Sequence, residues 1–287
     1  MSDRPQDDEG PPLPDAGEWA EVGLCVGPAL HGGHQSHVLR AEGHGRQLVV
    51  KLTDSHLTDR FHDRRVHLVE RLAEREPIVV GPVRIGSSLV TSIGHWRAVA
   101  YPYIDGTAPD PSDRTHVAAM ATALASLHTS FATIDDRELR RVAALRDSPQ
   151  PHDELFGDDQ LIHGDFSPAN VRFTAAGVKV FDYDDCGRGP IEFEVGNTLY
   201  MALFDAEMDA DPGRSERFRQ WFVEAYENAA ARPLAPAALD RAIDLRTSAL
   251  RRWLDDPGSA PIGIRSATAE WRRRLRAFVD TAERRRH

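Results

Sequence analysis

The fold is decided by the stretch LIHGDFSPANV at residues 161–171 and by VFDYDD at residues 180–185. Between them lie two β-type runs, NVRF at residues 170–173 and VKVF at residues 178–181, joined by a short Ala-Ala-Gly turn. This spacing predicts a β-hairpin. The sequence therefore brings an Asp, an Asn five residues later and a second Asp at the end of the hairpin into one compact segment.

These three side chains are the groups that phosphoryl transfer requires. One carboxylate must orient the attacking hydroxyl, while a second carboxylate and an amide oxygen hold the Mg²⁺ that neutralises the phosphates. We therefore predict that Asp165 is the catalytic residue and that Asn170 and Asp182 are the metal ligands. The alternative is an acidic loop in which Asp and Asn serve only turn geometry.

The same segment resembles the H-G-D-x-x-x-x-N and I-D-x-x motifs of the aminoglycoside phosphotransferase and choline-kinase family. The H-R-D, D-F-G and A-P-E motifs usual in protein kinases do not occur. The resemblance implies an α+β, bilobal, protein-kinase-like fold, with a small N-terminal antiparallel β lobe containing one helix and a larger, mainly helical C-terminal lobe. It also implies a small-molecule kinase that moves the γ-phosphate of ATP or GTP onto a substrate hydroxyl.

The pattern along the chain divides it into three parts. Residues 1–16 are rich in Asp, Pro and Gly, which predicts a disordered acidic tail. Residues 17–103 contain short β-branched runs and one helical pattern at residues 57–76, as expected for a nucleotide-binding β lobe. Residues 104–287 carry helical stripes and should hold the catalytic loop, the metal site and the substrate helices. The stripes lie near residues 117–127, 217–229, 236–254 and 266–284.

The resemblance also implies where the nucleotide binds. Gly33 lies in a segment similar to the family's glycine-containing loop over the phosphates. Lys51, one of only two lysines in the chain, stands where the family places its phosphate-binding lysine. The segment AYPYIDG at residues 100–106 resembles the linker that reads adenine through one carbonyl and the N–H two residues later. Pro102 can supply that carbonyl but no N–H, and the required N–H falls on Ile104.

One departure from the family concerns the partner of Lys51. The family pairs this lysine with a helix glutamate, but Arg64 and Arg65 stand where that glutamate is expected. Glu70 lies on the side of an ideal helix opposite the apolar stripe. The acid that orients Lys51 therefore stays open.

Three further residues are predicted to support the site rather than to react. Glu194 stands where the family has a structural Asp. His128 belongs to a Leu-His segment similar to a family helix, and His163 should brace the catalytic loop.

The bulk composition limits the classes of partner. A formal net charge of −10 argues against nucleic acid, and a cationic acceptor would suit it, although solubility alone explains an acidic balance. No run is apolar and long enough to span a membrane, and the N-terminal residues do not read as a signal peptide. Cys25 and Cys186 fit no disulfide framework. We expect a cytoplasmic protein without nucleic-acid or membrane partners.

The acceptor is left open by the sequence. An aminoglycoside-type or other hydroxylated antibiotic is favoured, which would imply antibiotic resistance, and a metabolite of the choline, homoserine or sugar type is the alternative. A kinase-like binding protein without turnover is a further reading. A different class of hypothesis is zinc binding by His31, His34 and His37, because imidazoles at this spacing can share a metal.

Overall fold

The computed structural model describes residues 12–30, 37–43, 45–56, 58, 60–146, 154, 156–209, 211–260, 264 and 268–284. Its contacts divide the chain into two compact units. The first unit falls within residues 1–67 and 82–103, and the second within residues 68–81 and 104–287. Helix α2 (His62–Ala73) contributes residues to both.

The first unit is built on an antiparallel sheet in which five strands are described, in the order β1-β2-β3-β5-β4. The strands are β1 (Cys25–Ala29), β2 (His37–Gly43), β3 (Arg46–Asp54), β4 (Thr91–Ile93) and β5 (Trp96–Pro102). Leu48, Val50 and Leu52 alternate along β3 and pack with Ala98 and Ala100 of β5. This period of two places the core on one face of the sheet.

A short helix, α1 (Ala16–Glu21), precedes the sheet and was not predicted. The Asp15 side chain accepts hydrogen bonds from the first turn, and Glu18 completes a capping box. The indole N–H groups of Trp19 and Trp96 donate to the carbonyls of Pro14 and Pro12. Residues 12–16 of the predicted tail are therefore held in place by hydrogen bonds from two buried tryptophans. Residues 1–11 lie outside the described residues.

The second unit is mainly helical. Its helices are α3 (Arg114–Ala132), α4 (Ala143–Arg146), α5 (Ile191–Met208), α6 (Pro212–Ala230), α7 (Pro236–Asp255) and α8 (Ala269–Arg284). Two antiparallel strand pairs accompany them: β6 (Gln160–Ile162) with β9 (Gly187–Gly189), and β7 (Val171–Thr174) with β8 (Gly177–Val180). The second pair is the predicted hairpin. The predicted antiparallel sheet followed by a helical part is confirmed.

Helix α5 is the central helix of the second unit, and Ile191–Tyr200 are all buried. It packs closely on α7, because a Cβ added at Gly196 would lie 2.3 Å from the Cβ of Ala242. Only glycine allows this approach without a shift. None of the described helices is both long and apolar enough to cross a membrane.

Candidate active site

Asp165 and Asn170 lie in hydrogen-bond contact in the loop between β6 and β7. The Asn170 side-chain nitrogen donates to the Asp165 backbone carbonyl at 2.9 Å and to the Asp165 carboxylate at 3.0 Å. Asn170 closes a 3₁₀ turn, Pro168–Asn170, and is 8% exposed. The chain therefore turns back between Asp165 and Asn170. The Asn170 side-chain amide holds both the backbone of the loop and the Asp165 carboxylate in place.

The β7–β8 hairpin ties Asp182 to this pair. The backbone N–H of Phe181 donates to the Asn170 carbonyl at 3.1 Å, directly before Asp182 in the chain. Asp182 itself has φ of 65°, in the left-handed region that Asp tolerates better than most residues. The strand ends at this turn, and the Asp182 side chain is exposed.

His163 is completely buried and uses both ring nitrogens to hold the backbone. Nε2 lies 3.1 Å from the carbonyl of Phe181, and Nδ1 lies 3.3 Å from the backbone nitrogen of Asp165. The tautomer with a proton on Nε2 satisfies both contacts, since one nitrogen then donates and the other accepts. His163 thus joins the chain beside Asp182 to Asp165, which supports its predicted bracing role.

Gly164 is required by the shape of the same loop. Its φ is 86°, and a Cβ added there would lie 2.2 Å from the Asp185 carbonyl oxygen. Both the backbone conformation and the space exclude a side chain. This close approach brings Asp185 beside the catalytic loop.

A chain of buried hydrogen bonds connects the catalytic loop to helix α5. The fully buried carboxylate of Glu194 on α5 accepts from the backbone N–H groups of His163 at 3.0 Å and Gly164 at 2.5 Å. It also lies 2.8 Å from Nε2 of His128, whose Nδ1 lies 2.6 Å from the Tyr226 hydroxyl. Burial alone would raise the pKa of Glu194, but the His128 hydrogen bond and the nearby histidines outweigh it and lower that pKa.

The carboxyl of Asp165 holds its proton more strongly than an ordinary Asp. Burial raises its pKa above 3.8, and the negative charge of Asp182 raises it further. Arg246, His163 and the Asn170 hydrogen bond oppose this shift without cancelling it. Asp182 thus contributes to the electrostatic environment of Asp165.

Asp185 was not predicted to be a catalytic, nucleotide-binding or metal residue, yet its pKa is the most strongly raised of the acids in this cluster. Desolvation by the surrounding chain raises its pKa to about 6, and the charges of Asp165 and Asp184 add to the shift. The residue keeps solvent access. Sequence reasoning also missed Arg246 on α7, whose charge lowers the pKa of both Asp165 and Asp185.

The donor set fits a magnesium ion held together with phosphates. Within the described part of the chain, no group of three or more His, Cys, Asp or Glu side chains could hold a metal by itself. Mg²⁺ usually takes one or two protein oxygens and fills its shell with phosphate and water. Because the Asn170 nitrogen is committed to Asp165, its amide oxygen is the atom left for a cation.

The predicted nucleotide residues fall mostly in the first unit. Lys51 is half-buried on β3, paired in register with Val38 of β2 and Val99 of β5. Pro102 ends β5, and Ile104 follows as the first residue of the second unit's main segment. Gly33 lies outside the described residues, as do His31 and His34 of the zinc hypothesis. The assignments of these residues stay predictions.

The comparisons with known proteins concern the family and the fold. A family model described as the phosphotransferase enzyme family matches residues 131–239, the segment that carries Asp165, Asn170 and Asp182. No curated protein matches the chain by sequence. The predicted resemblance to this family of phosphotransferases is confirmed.

Solved structures share the fold along most of the chain. An amicoumacin kinase, determined with AMP-PNP and Ca²⁺, has a TM-score of 0.70 at 14% identity, covering 93% of this chain and 91% of its own. A microcompartment-associated aminopropanol kinase gives 0.61 at 15% identity, covering 90% of each chain. An aminoglycoside phosphotransferase from Alicyclobacillus acidocaldarius gives 0.56 at 15% identity, covering 98% and 99%. At these identities the likeness concerns the fold, and the predicted kinase-like fold is confirmed.

Proposed function

We propose that this phosphotransferase-family chain is a small-molecule kinase that transfers the γ-phosphate of ATP or GTP to a substrate hydroxyl at Asp165. The observation that carries the proposal is the linkage of three residues. The Asn170 amide donates to the Asp165 carboxylate, and the Asn170 carbonyl accepts from the residue that precedes Asp182. A hydroxyl-orienting carboxylate beside an amide and a second carboxylate is the set that phosphoryl transfer uses.

Asp165 orients the acceptor hydroxyl and accepts its proton late in the reaction. Its raised pKa brings it closer to the working pH, where a base can both be ionised and take a proton. Because the transition state is loose, most of the reduction in barrier comes from positioning and charge neutralisation. The hydrogen bonds of His163 and Asn170 keep the carboxylate in one orientation for this purpose.

A bound Mg²⁺ would neutralise charge on the β- and γ-phosphates. In this proposal Asn170 and Asp182 hold it through one amide oxygen and one carboxylate. Lys51 contributes a compact positive charge to the phosphates.

The remaining nucleotide contacts follow from the family resemblance. Gly33 allows the loop to approach the phosphates, and the Pro102 carbonyl and the Ile104 N–H read the edge of the adenine. ATP and GTP present different edges to such a pair, and both belong in the test.

The acceptor is a small hydroxylated molecule. An aminoglycoside-type or other antibiotic is one class, and a metabolite of the choline, homoserine or sugar type is the other. The fold shared with an aminopropanol kinase supports a metabolite as the acceptor. The fold shared with an amicoumacin kinase and an aminoglycoside phosphotransferase supports an antibiotic to the same degree. A kinase-like binding protein without turnover is the third outcome.

A transfer screen tests the proposal. The purified chain is incubated with γ-labelled ATP or GTP and Mg²⁺ against panels of antibiotics, amino alcohols, homoserine and sugars, and labelled product is separated. We expect label on one class of hydroxyl, lost when EDTA replaces Mg²⁺ and lost in Asp182→Asn. Nucleotide binding with no transfer to any panel would instead indicate a binding protein.

A further inference from the structure

The active-site loop is hydrogen-bonded to helix α5, and helices α5 and α7 carry further polar side chains to which the mechanism assigns no role. Helix α7 approaches α5 where Gly196 meets Ala242. Arg246 stands one helical turn beyond Ala242, and its guanidinium lies over the ring of Tyr200, 5.5 Å from the centroid. Tyr200 in turn stands one turn beyond Gly196, so the two contacts follow each other along the same pair of helices.

The guanidinium of Arg246 is an incompletely satisfied group. Its Nε is buried and has no hydrogen-bond partner among the described residues. A buried N–H on a permanent charge is costly unless something accepts from it. Arg246 also acts electrostatically on Asp165 and Asp185, so this donor lies near the carboxylate assigned to the acceptor hydroxyl.

Asn197 on α5 provides a second, independent observation. It is 1% exposed, and neither its amide nitrogen nor its amide oxygen has a hydrogen-bond partner among the described residues. Residues 194, 197 and 200 follow one another at steps of about 60° around an ideal helix. Asn197 therefore lies between Glu194, which holds the catalytic loop, and Tyr200, which lies under Arg246.

We call Arg246, Asn197 and Tyr200 the α5–α7 subsite: Arg246 lies over Tyr200, Asn197 stands three residues before Tyr200 on the same helix, and Arg246 acts electrostatically on Asp165. We propose that this subsite binds a carboxylate carried by the acceptor close to the hydroxyl that is phosphorylated. The planar guanidinium offers paired donors that match a carboxylate better than a lone hydroxyl does. The Asn197 amide can donate to the same group or to a water bound beside it.

The surrounding acids restrict what else the acceptor carries. Asp165 and Asp185 would repel an anion placed on their side of the subsite, so the carboxylate must lie on the Arg246 side. An amino group on the acceptor would be favoured next to Asp185. The inference rests on the proposed function and narrows its acceptor to hydroxylated acids, with or without an amino group, in place of polycationic antibiotics.

Acceptor pairs that differ only by a carboxylate test the inference. L-Homoserine is compared with 3-aminopropan-1-ol, and L-serine with ethanolamine, in wild type, Arg246→Gln and Arg246→Lys. We expect kcat/KM to favour the acid in wild type. Arg246→Gln should lower the ratio of kcat/KM for the acid to kcat/KM for the amino alcohol by about tenfold to a hundredfold, the range of a hydrogen-bonded charge. Any effect of the lost charge on the pKa of Asp165 is common to both acceptors and cancels in this ratio. For Arg246→Lys, this ratio should lie between the values for wild type and Arg246→Gln. The ammonium keeps the positive charge but lacks the paired N–H donors of the guanidinium.

Matched controls separate this role from a structural one. Arg252→Gln changes an exposed arginine on the same helix and should behave as wild type. Asn197→Leu removes an amide that has no hydrogen-bond partner among the described residues, so the melting temperature should stay level or rise while KM for the acid increases. If Arg246→Gln lowers both members of a pair equally, or if wild type prefers the amino alcohol, the inference is wrong.

Binding distinguishes failure of this inference from failure of the proposed function. The melting shift caused by each probe is measured without nucleotide in wild type and Arg246→Gln. A shift with the acids that disappears in Arg246→Gln supports the subsite even if no acceptor is phosphorylated. The absence of both turnover and a melting shift with every one of the acids would overturn the inference.

Discussion

Asp185 is a carboxyl whose ionisation opposes folding. Its pKa is raised to about 6 from an ordinary 3.8, so the folded state binds this proton more tightly than the unfolded state does. Stability contributed by this group therefore falls as pH rises from about 4 to about 6 and is level above that. Desolvation by the surrounding chain and the charges of Asp165 and Asp184 are the causes.

Asp185→Asn removes this part of the pH dependence. We expect the variant to gain stability relative to wild type as pH rises from 4 to 6 and to keep that gain up to pH 8. Urea unfolding across this range measures it. Asp158→Asn, at an exposed acid outside the cluster, is the control, and identical pH profiles for wild type and Asp185→Asn would contradict the assignment.

Gly164 carries two separate constraints, and a second glycine allows them to be separated. Gly164→Ala meets both a positive φ of 86° and the Asp185 carbonyl at 2.2 Å, whereas Gly177→Ala has a φ of 103° and no atom within 4 Å. Gly177→Ala should cost about 1–2 kcal/mol from backbone strain alone. Gly164→Ala should cost more and should reduce turnover, as thermal unfolding and transfer assays can show. Equal costs would mean that the contact with Asp185 is unimportant.

At the level of single residues, the sequence could predict what lies close in the chain. Asp165 and Asn170 are five residues apart, and the hairpin returns Asp182 to them, so spacing alone indicated their proximity. Asp185 lies beside the catalytic loop because its backbone approaches Gly164 closely. The spacing of residues along the sequence does not reveal this contact. Arg246 reaches the cluster from a helix about 80 residues later, so only the packing of α5 on α7 makes it visible.

Among the elements, α5 connects the catalytic loop to the helical core through Glu194. Glu194→Gln keeps the shape but removes the charge that accepts from His128 and from two backbone N–H groups. We expect a loss of about 3 kcal/mol, within the range for breaking buried charged contacts, and a drop in kcat. Tyr226→Phe removes only the outermost hydrogen bond, so its cost should be about 1 kcal/mol with little change in kcat. Denaturant unfolding and steady-state kinetics compare the two, and a larger effect for Tyr226→Phe would contradict this order.

The α5–α7 contact is set by the missing side chain of Gly196. Gly196→Ala should cost about 1–3 kcal/mol by overpacking against Ala242. The second change Ala242→Gly should recover part of that stability, because it removes the opposing methyl group. A double-mutant cycle by thermal unfolding measures the coupling. Strictly additive costs would show that the two positions do not meet.

Helix α5 was, like α1, not predicted from the sequence. Every residue of Ile191–Tyr200 is buried, so this part of the helix has no solvent-exposed face and lacks the alternation of apolar and polar residues that marks an amphipathic helix. The amphipathic helices α3, α6, α7 and α8 were predicted within a few residues of their observed bounds. Helix α1 carries a capping signal at Asp15 and Glu18 that could have been recognised.

For the whole molecule, the order of strand-rich and helical segments predicted an antiparallel sheet followed by a helical part, and the family resemblance supplied the kinase-like fold. The nucleotide-binding roles of Lys51, Pro102 and Ile104 come from the family resemblance and stay predictions. The acceptor could not be predicted, because its subsite is assembled from side chains on separate helices. A shared fold does not fix a substrate.

The central claim is that Asp165 orients the acceptor hydroxyl without being needed to bind the nucleotide. The most direct measurement compares wild type with Asp165→Ala for the transfer rate to the best acceptor and for the Kd of the nucleotide in the same preparation. We predict that turnover falls by about 10²–10⁴-fold, the usual contribution of a positioned base, while the Kd stays within about twofold. Turnover that survives in Asp165→Ala would contradict the account.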